Sequence, residues 1–320
     1  RHRAARRLRG VTTPAPLRPG DRVALVAPCG VVDVDRLEAG AATLRAWGWE
    51  PVELPHVRDR HGHLAGTDAA RLADLQAAVD DPSFRAIWVV RGGYGMTRIV
   101  DRLDLTGLRD DPRWVIGFSD VTALHHAVWR RTGVVSCHGQ FAGRAHLVAE
   151  HAVAADHLRA LLAGEWASGP LPTLEGGPRP RTIVSGECHG PLLGGNLAVT
   201  AAGVGTPNQL DTRGAVLLLE DVNEPPYRLD RLLTQLRAAG LLDALAGVVL
   251  GTFVGCDPAP GVPSATVDEV VADRLGDLGV PVLADLPLGH RDHQLAVPHG
   301  ATVTLDARRG RLSLSGAVTA

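Results

Sequence analysis

Apolar runs of strand length alternate with amphipathic helical segments through the first half of this chain. The strand-like runs cover residues 21–27, 51–54, 86–90 and 114–118. Helical periodicity covers residues 35–47, 68–80 and 120–131. Strands joined by helices pair in parallel and are covered on both faces, so the pattern predicts an α/β fold with a parallel sheet. Ligand sites in such sheets form where the carboxyl ends of strands meet helix N-termini.

The pattern changes near residue 165, where Gly and Pro become frequent and the periodicity is lost. Beyond it, strands are predicted at 215–219 and 247–250, and a closing hairpin at 301–305 and 311–314. A chain of 320 residues is long enough for two domains. We therefore predict a disordered basic tail at 1–13, an N-terminal α/β domain at 14–165, a linker at 166–180 and a C-terminal β-rich domain at 181–320.

The overall charge is nearly balanced, with 33 Lys and Arg residues against 35 Asp and Glu residues. A chain of this charge has no global field that recruits nucleic acid or an anionic membrane surface. Its apolar runs are also much shorter than the ~20 residues that a membrane-spanning helix needs. We expect neither nucleic acid nor a membrane as a partner.

The cellular compartment is predicted from the first residues and from the cysteines. The first nine residues are rich in arginine, but no apolar run follows them, so a disordered tail is favoured over a twin-arginine export signal. The cysteines lie far apart, without a C-x-x-C pair, which fits a reducing compartment and argues against a zinc knuckle: Cys29, Cys137, Cys188 and Cys256. We expect a cytoplasmic protein that uses no metal and no cofactor.

Ser119 is the first candidate catalytic residue. It lies between the predicted strand at 114–118 and the helix that begins at Asp120, as in a nucleophile elbow. Gly117 leaves room for the tight turn, and the N–H of Asp120 is a candidate oxyanion donor near the positive end of the helix dipole. The G-x-S-x-G pattern is incomplete, because Val121 occupies its last position. Locally, the alternative that Ser119 only caps the helix stays open.

The loop at 91–95, with the sequence RGGYG, follows another buried strand. Glycines in such a loop allow backbone N–H groups to approach a ligand closely. Gly92 or Gly93 is therefore a candidate for a second oxyanion donor. The loop lacks both the Lys-Ser/Thr of a P-loop and the spacing of a dinucleotide-binding motif, and a simple turn would have the same composition.

A serine nucleophile needs a base and a group that orients the base. His290 follows a predicted strand and turn, in a loop that continues to residue 300. Glu220 ends the apolar run at 216–219, so its carboxylate is expected half-buried at a strand terminus. For each residue alone, a polar position that ends a strand remains an equally good interpretation.

Several segments together resemble the LD-carboxypeptidases, a family of serine peptidases that includes the microcin C7 self-immunity peptidases. The segment GFSDVTALHHAVW at 117–129 is similar to the family's nucleophile segment. The other similar segments, in family order, are RGGYG at 91–95 with Arg98 and Leu103-Asp104, GPLLGGN at 190–196, LEDVNE at 219–224 with YRLDR at 227–231, and Gly289-His290 with PHG at 298–300. The resemblance extends over nearly the whole chain.

The resemblance implies Ser119 as the nucleophile, His290 as general base and then acid, and Glu220 as the residue that orients His290. It also implies an oxyanion hole formed by the N–H groups of Asp120 and of Gly92 or Gly93. The implied fold is a flavodoxin-like N-terminal domain joined to a smaller β-rich C-terminal domain, in a homodimer. The triad would assemble between the two domains.

The implied reaction is hydrolysis of the amide between an L-configured centre of diaminopimelate and the terminal D-Ala of murein tetrapeptides. An arginine is expected to bind the terminal carboxylate, and the candidates are Arg91, Arg228 and Arg231. Two other functions stay open. One is an immunity peptidase of the microcin C7 type that cleaves aminoacyl nucleotide analogues, for which Trp166 is the aromatic residue available to stack on the base. The other is a catalytically silent module that binds muropeptides.

Overall fold

The computed structural model describes residues 11–144, 151–166, 168–291 and 294–316. The strands of this part of the chain are β1 (Arg22–Val26), β2 (Glu50–Glu53), β3 (Phe84–Val89), β4 (Trp114–Gly117), β5 (Ser136–His138), β6 (Gly169–Pro170), β7 (Arg181–Val184), β8 (Glu187–Asn196), β9 (Val216–Val222), β10 (Gly247–Val254), β11 (Val282–Ala284), β12 (Val297–His299), β13 (Thr302–Asp306) and β14 (Arg311–Leu314). The α-helices are α1 (Val34–Ala46), α2 (Asp68–Asp80), α3 (Thr106–Asp110), α4 (Thr122–Thr132), α5 (Ala152–Leu162), α6 (Leu197–Ala202), α7 (Pro226–Ala238) and α8 (Val267–Leu275). Short 3-10 turns lie at Met96–Arg98, Val100–Arg102, Ser119–Val121 and Ala142–Arg144.

The first sheet has the strand order β12-β5-β4-β3-β1-β2. Strands β2, β1, β3, β4 and β5 are parallel, and their order is that of a flavodoxin-like sheet. The predicted α/β fold with a parallel N-terminal sheet is therefore confirmed. Strand β12 comes from the far end of the chain and pairs antiparallel with β5, with Pro298 opposite Cys137.

The second sheet has the order β6-β14-β13-β8-β9-β10-β11-β7. Its centre is parallel, from β8 to β11, and its outer strands pair antiparallel. The predicted closing hairpin is confirmed as β13 and β14, in which Leu305 lies opposite Leu312. This sheet is the predicted β-rich second part, and helices α6, α7 and α8 contribute to its apolar layer.

Burial explains why the central strands are apolar along their whole length. Strand β4 is buried at every position, and β9 is buried from Val216 to Asp221. Apolar side chains cover both faces of the first sheet, in two clusters that contain Trp88 and Ile87 respectively. Parallel strands buried on both faces need near-continuous apolar runs, as the sequence has here.

The predicted tail and the predicted linker each differ from the structure in one detail. Thr12, placed in the disordered tail, pairs with Val134, and its N–H donates to the Gly133 carbonyl at 3.1 Å. Strand β6 lies inside the predicted linker and pairs with β14. Residues 1–10 of the predicted tail lie outside the described residues.

Candidate active site

Ser119 lies in the turn between β4 and α4. Its backbone has φ of 58°, a left-handed conformation that is rare for residues other than glycine. A Cβ at Gly117 would lie 2.9 Å from a Val121 methyl carbon, so the turn also needs a glycine there. No side chain caps the 3-10 turn or α4, so the capping interpretation of Ser119 is wrong. The strained turn instead presents the Ser119 hydroxyl to His290.

Ser119, His290 and Glu220 form a continuous hydrogen-bonded series. The Ser119 Oγ lies 3.0 Å from His290 Nε2, and His290 Nδ1 lies 2.7 Å from Glu220 Oε2. Since a carboxylate only accepts, Nδ1 carries the proton that it donates to Glu220, and Nε2 is left to accept the Ser119 proton. The structure therefore brings together three side chains from segments that are 70 and 171 residues apart.

Burial and close packing hold the Glu220 carboxylate in place. Glu220 is fully buried at the carboxyl end of β9, whereas the His290 side chain is 14% exposed. Gly289 has φ of 107°, and a Cβ there would overlap Glu220 Oε2. The loop can bring His290 onto the carboxylate only because residue 289 lacks a side chain.

The segment at 190–196 forms hydrogen bonds with residues next to Glu220 and close to Ser119. Asn196 Nδ2 donates to Asp221 Oδ1 at 2.9 Å, and the Asn196 N–H donates to Thr122 Oγ1 at 3.0 Å. Asn196 therefore connects the strand that carries Glu220 with the start of α4, which follows Ser119. Burial raises the pKa of the Asp221 carboxyl to about 6, although three hydrogen bonds to its carboxylate lower it.

The candidate oxyanion donors lie at the same end of the first sheet. A Cβ at Gly92 would lie 3.2 Å from Ser119 Cβ, so this loop packs closely against the candidate nucleophile. Gly93 has φ of 105° and packs against the backbone of Gly30. The Asp120 carboxylate accepts a hydrogen bond from the Met96 N–H at 2.8 Å, and burial raises its pKa. The Asp120 carboxylate is therefore engaged by the Met96 N–H, and the backbone N–H of Asp120 stays the candidate oxyanion donor.

Two clefts meet at His290. The first, of about 710 Å³, contains Ser119, Gly92 and Gly93, and we call it the basic arm because it is lined by Arg36, Arg91 and Arg144. The second, of about 600 Å³, is the acidic arm, lined by Asp257, Asp268 and Asp285 together with Arg291. The site therefore extends to both sides of the candidate base, with opposite charge on its two sides.

The three arginines proposed from the sequence lie in different places. Arg91 lines the basic arm, and its guanidinium donates to the Val31 carbonyl. Arg228 and Arg231 lie on α7 and are not among the described residues that line either arm. Arg228 lies 3.4 Å from Glu224, and the Arg231 guanidinium lies over the Tyr227 ring.

Sequence reasoning missed several residues that line the basic arm, among them Arg36, Arg144 and Asn223. Asn223 has φ of 57°, and Asp285 in the acidic arm has φ of 63°. With Ser119, these are the non-glycine residues of positive φ in the described ranges, and all three line the two arms. Strained backbone of this kind concentrates at functional sites. The segment LEDVNE at 219–224 contains an asparagine, a residue that readily adopts this conformation, and this was the signal for Asn223 in the sequence.

Three further features bear on the predicted function. Within the described ranges, no group of three or more His, Cys, Asp or Glu side chains could hold a metal ion. The same part of the chain has no helix long and apolar enough to cross a membrane. Trp166 packs edge-on against the His157 ring, with the centroids 4.5 Å apart.

Two sequence relatives each cover more than 90% of the chain. A carboxypeptidase homologue of Streptomyces coelicolor is 46% identical over 312 residues, which is 96% of this chain and 97% of the relative. The murein tetrapeptide carboxypeptidase of Pseudomonas aeruginosa is 36% identical over 91% of this chain and 94% of its own.

Solved structures share the fold. The muramoyltetrapeptide carboxypeptidase of Oxalobacter formigenes superposes with a TM-score of 0.79 at 26% identity, over 92% of this chain and 97% of its own. The microcin C7 self-immunity protein superposes with a TM-score of 0.87 over 97% of this chain and 100% of its own. At 20% identity, this second likeness shows the fold alone.

Family models agree with these comparisons. The model of the LD-carboxypeptidase N-terminal domain matches residues 23–139, and that of the C-terminal domain matches residues 189–305. The chain therefore belongs to the LD-carboxypeptidase family of peptidases.

Proposed function

We propose that this protein is a serine carboxypeptidase that removes the terminal D-Ala from murein tetrapeptides. The hydrogen-bonded series of Ser119, His290 and Glu220 is the observation that carries this proposal, because it joins a hydroxyl to a buried carboxylate through an imidazole. This arrangement is the one that acyl transfer by serine requires. The substrate is assigned from the relatives that are named for murein tetrapeptide.

In the first step, Ser119 Oγ attacks the carbonyl carbon of the amide that joins the L-configured centre of diaminopimelate to D-Ala. His290 Nε2 takes the hydroxyl proton at the same time. Glu220 keeps the proton on Nδ1 and stabilises the imidazolium that forms. The N–H groups of Asp120 and Gly92, or alternatively Gly93, stabilise the negative charge on the carbonyl oxygen. His290 then gives its proton to the amine of D-Ala, which leaves, and an acyl-enzyme remains.

In the second step, water replaces the departed amine. His290 removes a proton from the water, which attacks the acyl carbon, and the same N–H groups stabilise the second tetrahedral intermediate. Ser119 recovers its proton from His290 as the acyl group leaves. His290 mediates every proton transfer in these two steps.

The test is release of D-Ala from murein tetrapeptide by wild-type protein and by Ser119→Ala. The variant should lose nearly all activity, because the reaction has no nucleophile without the hydroxyl. Ser264→Ala removes an exposed loop hydroxyl and is the matched control, which should keep full activity. A folded Ser119→Ala variant with undiminished D-Ala release would disprove the assigned mechanism.

An immunity peptidase of the microcin C7 type is the second candidate, because that protein shares the fold. Hydrolysis of an aminoacyl sulfamoyl adenylate should be measured beside D-Ala release. We expect the tetrapeptide to be preferred. Trp166 is the aromatic residue that would stack on the nucleotide base, but its ring already packs against His157. Preference for the adenylate would replace the proposed substrate and keep the proposed triad.

We further propose a cytoplasmic location and a homodimer. The described cysteines are all unpaired, which fits a reducing compartment. Size-exclusion chromatography with light scattering would measure the mass of the assembly. A mass equal to that of a single chain would rule out the dimer. Fractionation of cells would test the compartment.

A further inference from the structure

The basic arm has an excess of positive charge beside the candidate nucleophile. Its described lining holds three arginines, Arg36, Arg91 and Arg144, against one carboxylate, Asp33. The Asp33 side chain caps α1 by accepting from the Arg36 N–H at 3.1 Å. That carboxylate is therefore already engaged by a backbone group, and the arm is suited to an anionic ligand.

Arg36 and Arg91 differ from many other arginines in the described ranges. Neither forms an ion pair with a described carboxylate, whereas Arg58, Arg98 and Arg237 each contact a carboxylate within about 3 Å. Arg91 donates to the Val31 carbonyl, which fixes its guanidinium at the wall of the arm and leaves its other N–H groups for a ligand. Unpaired guanidinium groups in a concave site are suited to bidentate binding of a carboxylate.

The position of Arg91 fits one group of the substrate in particular. Arg91 directly precedes Gly92, where a Cβ would lie 3.2 Å from Ser119 Cβ. A scissile carbonyl held at Ser119 is separated from the C-terminal carboxylate by one residue, and a residue spans only about 3.8 Å between Cα atoms. Arg91 begins the candidate oxyanion loop and lines the same cleft as Ser119, so its guanidinium is available on the side of the nucleophile where this short departing residue would lie.

We propose that Arg36 and Arg91 bind the C-terminal carboxylate of the departing amino acid and so restrict the enzyme to removing one terminal residue. The inference rests on the proposed carboxypeptidase function and assigns its specificity to the basic arm. Arg36 comes from the first turn of α1 and Arg91 from the loop after β3, so two different elements contribute the arginines that line the cleft. Arg228 and Arg231, on α7, have no part in it.

The experiment compares murein tetrapeptide with the same peptide whose C-terminal carboxylate is a carboxamide. Wild-type protein should cleave the free acid at least about 100-fold better, measured as kcat/KM, because the amide removes the charge that the arginines bind. Arg36→Gln and Arg91→Gln should each lower kcat/KM for the acid about 10- to 100-fold and change that for the amide about twofold at most. The preference for the acid should therefore collapse.

Arg308→Gln is the matched control, because Arg308 is an exposed arginine in the turn between β13 and β14. It should keep the full preference for the acid. Arg36→Gln is the cleaner variant, since Arg91→Gln also removes the bond to the Val31 carbonyl, and Arg36→Lys should recover part of the preference.

The inference is overturned if both arginine variants keep the wild-type ratio of acid to amide cleavage. This holds whether both activities stay at the wild-type level or both fall by the same factor. In either case the proposed function stands, provided that wild-type protein releases D-Ala and Ser119→Ala does not. If wild-type protein releases no D-Ala from the free acid, the proposed function fails together with the inference.

Discussion

Ser119 has a backbone conformation that normally belongs to glycine, and this conformation turns its hydroxyl toward His290. Its φ of 58° places the residue in a region that costs about 1–3 kcal/mol for a side chain with a Cβ. The surrounding buried strand and helix impose this conformation. The energetic cost is therefore a property of the position and should change with the residue placed there.

We expect Ser119→Gly to be more stable than Ser119→Ala by about 1 kcal/mol, because only glycine relieves the strain. Both variants should be inactive. Urea unfolding followed by circular dichroism would measure the difference in the free energy of unfolding. Equal stability of the two variants would show that the turn carries no strain.

Glu220→Gln tests the role of the buried carboxylate at the residue scale. An amide can also donate to Nδ1, so it no longer keeps the proton on that nitrogen, and we expect kcat/KM to fall by about 10³- to 10⁴-fold. Glu224→Gln, four residues later in the chain, is the control and should stay within about threefold of wild type. A fall of less than about tenfold in Glu220→Gln would contradict the assigned role.

At the scale of elements, the basic arm depends on how α1 sits against the 3-10 turn at Ala142–Arg144. A Cβ at Gly40 would overlap the Ala142 carbonyl oxygen, so the helix and the turn are in direct backbone contact. Arg36 lies one turn earlier on the same helix. The close approach at Gly40 therefore fixes the position of Arg36 relative to this turn, whose residues Gly143 and Arg144 also line the arm.

Gly40→Ala should lower the free energy of unfolding by about 1–3 kcal/mol through overpacking. Helix propensity alone predicts the opposite sign, since Ala is favoured over Gly by about 1 kcal/mol in a helix. The variant should also cleave tetrapeptide less efficiently. A thermal melt decides between the two effects, and a stabilised variant would contradict the close contact.

At the scale of the whole molecule, buried histidines lie where the end of the chain joins the first sheet. The cluster comprises His125 and His126 of α4, His138 of β5 and His299 of β12, and ring stacking joins His299 to both helix residues. Burial lowers the pKa of His125 to about 4 and those of His126 and His138 to about 3. The pKa of His299 is lowered well below its usual value for the same reason.

These shifts make the fold sensitive to acid. In the unfolded chain each histidine binds a proton near pH 6.5, whereas the folded protein resists protonation until about pH 4 or below. Their stabilisation is therefore complete above pH 6.5 and falls as the pH drops, by up to about 1.4 kcal/mol per pH unit for each residue. Burial raises the pKa values of Asp120 and Asp221, which opposes this trend, but the histidines outnumber them.

We expect the free energy of unfolding to fall between pH 7 and pH 5, and His126→Phe to reduce that slope. Urea unfolding at several pH values, compared between wild type and variant, measures both slopes. Loss of the imidazole can lower stability at every pH, so the slope rather than the absolute value is the test. An unchanged slope in His126→Phe would show that this histidine is not responsible.

Much of the fold could be predicted from local pattern. The strands and helices of the first half follow from apolar periodicity, which depends only on neighbouring residues. Strand β12 was predicted as loop, because its three residues include a proline and gain their strand conformation only by pairing with β5. Glycine-rich 190–196 likewise gave no sign that Asn196 would bond to Asp221.

Local pattern in the sequence is enough to predict the alternation of strands and helices and the strand-to-helix turn that contains Ser119, and the resemblance selects Glu220 and His290 among many acids and histidines. Two facts depend on packing between distant segments: Ser119 faces an imidazole rather than capping α4, and Arg36 rather than Arg228 lines the cleft. The reason is physical: periodicity records which face of an element is buried, whereas the distance between two side chains depends on the packing of elements far apart in the chain.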